Sequence, residues 1–493
     1  MVCVQQGVNW AAVVGAELLR TYTPPDTSEP DFGENGMAGR CNYRRLGLRL
    51  NLGRRHCGGA LVLFMAMLIG GAFGDENWPQ FRGAEQTGVA NAASLPETWS
   101  ETENIVWKTP LPSWSGGSPI VWGDRMFVTS PSKPEAGPDG VSPSPAGGPQ
   151  LLLLCISKRD GAVLWQRELD MGNKQISKQN SSSPTPVTDG VHVWAVTGTG
   201  TVAALTMDGE ILWKRNLQTD YGPFAMQFGY ASSPLLCDGK LIVQVLHGFK
   251  MDAPSYLAAF DASSGKDCWR VERPTDAIRE SRDSYNTPTL LRYEGKTQII
   301  VSGGDYVTGH DPETGKEIWR AHGLNPRNSD KNRIIVSPVA VDGMIFAGSS
   351  RKPLLALRGG GQGDITTTHL AWKYDGTDGP DVPTPACDGV YFYLVDDRGV
   401  IACFNAKTGE ATWGPERTAK GVVSASPLVA DGKIYITNED AITSVLAAGP
   451  QYKLLATNTL HSEGRTLSSL AVSGSQIFLR TPTHLYCIAK KGQ

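Results

Sequence analysis

The sequence predicts an all-β fold, an eight-bladed β-propeller, on three observations. Trp recurs seven times in one local context, a Ser-Pro or Thr-Pro step recurs between those Trp, and 56 Gly and 32 Pro stand among 493 residues. That Gly and Pro content exceeds the usual ~12% and requires either disorder or many turns. The 40% hydrophobic content and 13 Trp favour the turn-dense globule. At roughly 150 residues per domain the length alone suggests about three domains. The internal repeat overrides that division, because the repeated unit cannot bury its faces alone.

The Trp contexts are Ile105-Val106-Trp107-Lys108, Val163-Leu164-Trp165-Gln166, Ile211-Leu212-Trp213-Lys214, Asp267-Cys268-Trp269-Arg270, Glu317-Ile318-Trp319-Arg320, Leu370-Ala371-Trp372-Lys373 and Ala411-Thr412-Trp413-Gly414. The steps between them are 58, 48, 56, 50, 53 and 41 residues, and Leu454-Leu455 continues the series without Trp. The proline series is Ser118-Pro119, Ser183-Pro184, Ser233-Pro234, Thr287-Pro288, Ser337-Pro338, Thr384-Pro385 and Ser426-Pro427, with Ser468-Ser469-Leu470 as a degenerate eighth. Turns such as Asp189-Gly190, Asp238-Gly239, Asp342-Gly343 and Asp431-Gly432 follow most of them. Asp-Gly between apolar runs is a strong hairpin signal. A second turn, such as Ser264-Gly265 or Thr314-Gly315, precedes each Trp. Each unit thus supplies four strands, and stacking such units around an axis buries their faces. Trp107 precedes the first Ser-Pro step, and no fourth strand follows Tyr486-Cys487-Ile488. The N-terminal strand around Trp107 is therefore expected to complete the last blade and close the ring. Seven blades is the alternative, because the unit after Ser426 looks poorly formed. Pro131–Pro149 and Gly359–Gly363 fall outside the blades.

The expected organisation is an unstructured or mis-assigned extension over 1–36, a signal peptide over 37–74, a lead-in over 75–100 and the propeller over 101–490. The signal rests on Arg40, Arg44, Arg45, Arg49, Arg54 and Arg55, the apolar run 60–73, and Ala72 and Gly74 ahead of Asp75. An uncut membrane anchor is the other reading of that segment. Residues 1–74 hold seven of the 46 Lys+Arg and five of the 49 Asp+Glu, leaving 39 against 44, a formal charge of −5. That balance argues against a nucleic-acid footprint. No run of 18 apolar residues exists, so no membrane span is expected after signal cleavage. The expected location is periplasmic or cell-envelope, and the expected state a monomer. Six Cys remain: Cys155, Cys237, Cys268, Cys387, Cys403 and Cys487. Buried free thiols are the blander reading of three that sit in apolar strands.

Ala258-Ala259-Phe260-Asp261-Ala262-Ser263-Ser264-Gly265-Lys266-Asp267-Cys268-Trp269 resembles the repeat of pyrroloquinoline-quinone (PQQ)-type propellers, as do 310–319 and 404–410. Trp78-Pro79-Gln80-Phe81-Arg82-Gly83 resembles the start of the mature region in exported propellers of planctomycete-type bacteria. The resemblance spans about 76–490. It implies either a quinoprotein alcohol dehydrogenase using PQQ with calcium or a non-enzymatic scaffold like BamB, a lipoprotein of the outer-membrane β-barrel assembly machine. Fold alone does not choose between them. In the dehydrogenases, the resemblance implies a carboxylate and an amide on Ca²⁺, a proton-accepting Asp, a Trp floor and a disulfide between adjacent Cys. Here no two Cys are adjacent, and the long insertions that wall in the cofactor are missing.

No catalytic residue is assigned from the sequence. GxSxG, a Walker loop and HxxxH are all missing. Asp375-Gly376-Thr377-Asp378-Gly379-Pro380-Asp381 lacks the bidentate Glu of a calcium loop, so a solvated turn is the blander reading. First strands should be innermost, so residues ahead of the Ser/Thr-Pro steps should crown the channel. The candidates are Asn180, Tyr230, Arg282, Asp283, Tyr285, Asn286, Asp305, Tyr306 and Thr384. They suit a small polar ligand or a protein partner at the propeller face, or merely satisfy backbone groups at strand starts. The expected function is a non-catalytic binding or assembly scaffold, with a PQQ-dependent dehydrogenase as the alternative.

Overall fold

Eight antiparallel four-stranded units make up the fold. Blade 1 comprises Ile120–Trp122, Arg125–Pro131, Gln150–Ser157 and Val163–Met171. Blade 2 comprises Val187–Thr188, His192–Val196, Thr201–Thr206 and Ile211–Asn216. Blades 3, 4, 5 and 6 begin at Leu235, Thr289, Val339 and Ala386. Blade 7 begins with Leu428–Ala430 and ends with Leu454–Thr459. Blade 8 takes Ala471–Ser473, Gln476–Arg480 and His484–Ile488. Its fourth strand is Ile105–Pro110, which pairs antiparallel with His484–Ile488 and closes the ring as predicted. This computed structural model describes residues 76–134, 146–350, 353–376 and 379–491, which fall within one compact unit. The predicted leader and most of the Pro131–Pro149 excursion lie outside those residues. Among the described residues no helix is long and apolar enough to cross a membrane.

The unit after Ser426 corrects the expectation of a poorly formed blade. Blade 7 has five strands, because Val89–Ala90 adds in parallel beside Leu428–Ala430. Its outer strand lacks Trp but keeps full pairing over Ile442–Thr459. Gly359–Gly363 also has a structural use: Gly363–Asp364 pairs in parallel with the outer strand of blade 4 and covers that edge.

The repeated Trp explains the blade-to-blade packing. Each sits on an outer strand, and six donate their indole N–H to a carbonyl in the next blade's turn. The acceptors are Lys158 for Trp107, Met207 for Trp165, Ala262 for Trp213, Pro312 for Trp269, Ala406 for Trp372 and Gly449 for Trp413, at 2.8–3.0 Å. The turn glycine beneath must lack a side chain: a Cβ on Gly265 would approach Trp213 to 2.6 Å, and Gly265 has φ +70°. Trp319 departs from this pattern. It lies over Gly309 of its own blade and donates to Gln298 Oε1 at 2.9 Å. The core is correspondingly divided among blade pairs, as where Trp194 and Val196 of blade 2 pack with Leu241, Val243 and Phe260 of blade 3.

The cysteines belong to this packing. All six are free thiols, five of them buried, with Cys268 exposed. Burial pushes the Cys155, Cys387, Cys403 and Cys487 thiols up to about 12, so they behave as small apolar residues.

Candidate functional site: a blind central funnel

The residues ahead of the first strands meet around the axis in a closed ring of hydrogen bonds. Each backbone N–H donates to the hydroxyl oxygen of the next blade: Ser118 to Thr185, Thr185 to Ser233, Ser233 to Thr287, Thr287 to Ser337, Ser337 to Thr384, Thr384 to Ser426, Ser426 to Ser469, and Ser469 back to Ser118. All eight lie between 2.9 and 3.1 Å. Proline explains the recurrence, since it holds the preceding residue extended and brings no N–H of its own. Blade 2 corrects the sequence reading: its ring residue is Thr185, ahead of Pro186, rather than Ser183. Ser183 is occupied one turn earlier, its hydroxyl taking the Asn180 N–H at 3.2 Å. The degenerate eighth unit supplies Ser469, which completes the circle.

Below the ring the lead-in crosses the channel and closes it. Trp78 bridges to Val121 of blade 1, and Thr188 of blade 2 donates its N–H to the Pro79 carbonyl at 2.9 Å. Gln86 bonds the Pro288 carbonyl of blade 4 at 3.0 Å. Arg82, 4% exposed, donates to the carbonyls of Thr87, Pro385 and Pro427. Three of these acceptors are prolines that follow a ring residue, so the lead-in satisfies carbonyls left on the underside. Burial without an anionic partner lowers the Arg82 pKa to about 9.

Above the ring lies a cavity of about 300 Å³ lined by all eight ring residues, with Phe81 at its base. Its walls come from interblade loops. The hairpin Gln175–Ile176 and Gln179–Asn180, between blades 1 and 2, reaches over it. Lys178 on that hairpin bonds Glu439 of blade 7 at 2.6 Å, and Ser424 donates to the same oxygen at 2.6 Å. Arg333 sits between Glu280 and Asp381, at 3.0 Å from each, with its guanidinium 5.2 Å from the Phe228 ring centre. Asp397 accepts the backbone N–H groups of Asp381 and Val382 at 3.0 and 3.1 Å. Burial, reinforced by the charge of Asp381 against the opposing pull of the two N–H groups and Lys178, raises the Asp397 carboxyl to about 6.

Of the residues singled out from sequence, Tyr285, Asn286 and the ring residue Thr384 line this cavity. Tyr285 donates its hydroxyl to Asp283 at 3.2 Å, and burial raises the pKa of both groups. Asn286 bonds the Ser302 and Val336 carbonyls at 2.7 and 3.1 Å, so its amide is committed to the backbone. The other candidates stand elsewhere. Asn180 bonds the Trp114 carbonyl at 2.8 Å. Tyr230 stacks on Phe224 in the core. Arg282 pairs with Asp252 at 2.8 Å. Asp283 accepts N–H groups from Gln227 and Phe249. Asp305 accepts from Asn325 and Asn332, and Tyr306 packs beneath Arg320. Of the loop Asp375–Asp381, Asp375 pairs with Lys373 while Asp381 turns into the funnel. Lys178, Arg333, Asp381 and Asp397 were not singled out as funnel residues. The available signal was position: Arg333 and Asp381 stand four and three residues ahead of a ring hydroxyl.

A ring of eight blades, seven carrying the outer-strand Trp and all eight a Ser/Thr ring residue, defines a propeller of the PQQ-repeat class. The chain belongs to the family described as "Outer membrane protein assembly factor BamB", whose model matches residues 151–375 and 364–477. Among similar proteins, the outer membrane protein assembly factor BamB of Yersinia pestis is 24% identical over 277 residues, 53% of this chain and 61% of that protein. The lanthanide-dependent methanol dehydrogenase of Methylorubrum extorquens is 32% identical over 91 residues, 17% of this chain and 14% of that protein. The chain thus spans less than two thirds of either relative. The crystal structure of BamB from Moraxella catarrhalis aligns with a TM-score of 0.55 at 15% identity, covering 78% of this chain and 99% of that one, a likeness of fold.

Proposed function

We propose that this protein is an exported, non-catalytic propeller of the cell envelope that holds a small polar ligand or a segment of a protein partner in its funnel. The observation that carries the reading is the funnel's composition. Its lining includes no Trp and no Cys, and the aromatic residues in it are Phe81, Phe228 and Tyr285. A quinone cofactor of the dehydrogenase type needs a flat aromatic floor and a facing disulfide, and these residues do not fit it. Asp381 is engaged by Arg333, and Asp397 by two backbone N–H groups. Among the described residues no group of three or more His, Cys, Asp or Glu is placed to hold a metal ion. The dehydrogenase reading draws its support from the 91-residue match to the methanol dehydrogenase. The envelope location draws support from the family, described as an outer membrane protein assembly factor.

The test is to supply the purified chain with PQQ and calcium, then follow dye reduction by primary alcohols and Trp fluorescence. The proposal expects no turnover and no saturable quenching. Alcohol-dependent dye reduction would overturn it.

A further inference from the structure

Two carboxylates, Asp381 and Asp397, and two cations, Lys178 and Arg333, line the funnel, and both cations are already paired. Lys178 is held by Glu439, which also faces Arg465 at 3.3 Å. Arg333 is held between Glu280 and Asp381. Asp397 lines the cavity and, among the described residues, is in no ion pair. Beside it, Asp381 Oδ1 is buried and without a hydrogen-bond partner. Besides the ring hydroxyls, Gln179 and Asn286, the walls present an apolar and aromatic stretch of Ile335, Val382 and Leu467, with Phe228 and Tyr285 at 6.0 Å and tilted by 56°. The funnel already shows how it treats a cation. Arg333 is gripped by carboxylates on its edge and by the Phe228 face, the arrangement aromatic rings offer a positive charge.

We infer that the funnel binds the ammonium or guanidinium head of an organic cation, placed against Asp381 and Asp397, with a short apolar body along Phe228, Tyr285 and Val382. This rests on reading the funnel as a ligand-binding site. Asp397 takes both backbone N–H groups on Oδ1, which leaves Oδ2 for a cationic donor to offset the cost of its partial burial. A bare divalent ion fits less well, because it needs six or more oxygens at short range. The same head group is offered by a free alkylamine or by a Lys or Arg side chain of a partner.

Isothermal titration calorimetry on the full chain separates these cases. The probes are n-pentylammonium, pentanoate, 1-pentanol and calcium chloride. The expected result is one saturable site for n-pentylammonium and none for the other three. Asp397→Asn should weaken that site at least tenfold. Lys178→Met, which removes the competing cation, should tighten it about threefold and keeps the test open if the first variant does not fold. Acetyl-Gly-Lys-Gly-amide binding at least tenfold more tightly than the amine assigns the head group to a partner's side chain; equal or weaker binding assigns it to a free small cation. Saturable heats from pentanoate or calcium with the amine silent would overturn the inference, as would amine binding that ignores both variants. Amine silence together with no PQQ-dependent turnover removes the cation while leaving the non-catalytic reading intact. PQQ-dependent turnover removes that reading itself.

Discussion

At the closed end of the channel Arg82 is fully enclosed and meets only carbonyl oxygens. At the open end Arg333 is part exposed and meets two carboxylates and an aromatic face. The same side chain therefore does two jobs a few residues from one axis. Below the ring, polar groups satisfy backbone left over by the strand starts, and their loss should register as lost stability. Above the ring, charges exceed what the fold needs, and their loss should register as altered binding with little change in stability. The hydroxyl ring is the boundary between these regimes.

Substitutions from the scaffold to the mouth probe that division, in order of expected size. Trp372→Ala should cost most, about 3–4 kcal/mol in urea unfolding, because it removes a buried ring and orphans the Ala406 carbonyl. Arg82→Met should cost about 3 kcal/mol, since three buried carbonyls lose their donor while the site remains filled. Thr287→Val should cost about 1–2 kcal/mol, because it leaves the Ser233 N–H without an acceptor. If Arg82→Met proved neutral, the floor would not be the structural element described here.

Asp397→Asn should act in the opposite direction and depend on pH. The folded carboxyl titrates near 6, above the ordinary Asp value of 3.8. The folded state therefore binds this proton more tightly than the unfolded chain, so protonation favours folding. This contribution is present below about 3.8 and is lost as pH rises through 6. The Asn variant still offers an oxygen to Asp381 and Val382 without the charge. It should be about 1 kcal/mol more stable than the wild type at pH 8 and equal to it at pH 3.5, allowing for part exposure. Chemical denaturation at the two pH values checks this. Lys178→Met should change stability least, by under about 1 kcal/mol, because Lys178 is itself exposed and the buried Glu439 keeps Arg465 and the Ser424 hydroxyl.

Much of the scaffold was legible in the sequence because each blade repeats the same local chemistry. Trp on the fourth strand, Gly in the turn it covers and Ser or Thr before Pro are each local signals, and seven or eight copies make them unambiguous. Ring closure by Trp107 was legible from the offset between the two series. Blade 7 was under-read because Leu454 replaces the marker while the backbone pairing does not need it. The ring residue of blade 2 was misplaced because Ser183-Pro184-Thr185-Pro186 offers two equivalent steps, and only the inter-blade hydrogen bond chooses between them.

The funnel was legible in its rule more than in its members. Tyr285 and Asn286 immediately precede Thr287, and Arg333 and Asp381 obey the same rule at greater offsets. Asp397 and Glu439 follow second strands instead, and nothing local distinguishes them from solvated turn acids. Lys178 and Glu439 are 261 residues apart, and only closure of the ring brings them together.

The most direct test of the division between floor and mouth is a crystal structure of the protein soaked in n-pentylammonium. The ammonium is expected beside Asp397 and Asp381, its chain along Phe228 and Tyr285, with Arg82 and the eight-membered hydroxyl ring unmoved. Density for the amine elsewhere, with the mouth carboxylates uncontacted, would contradict it.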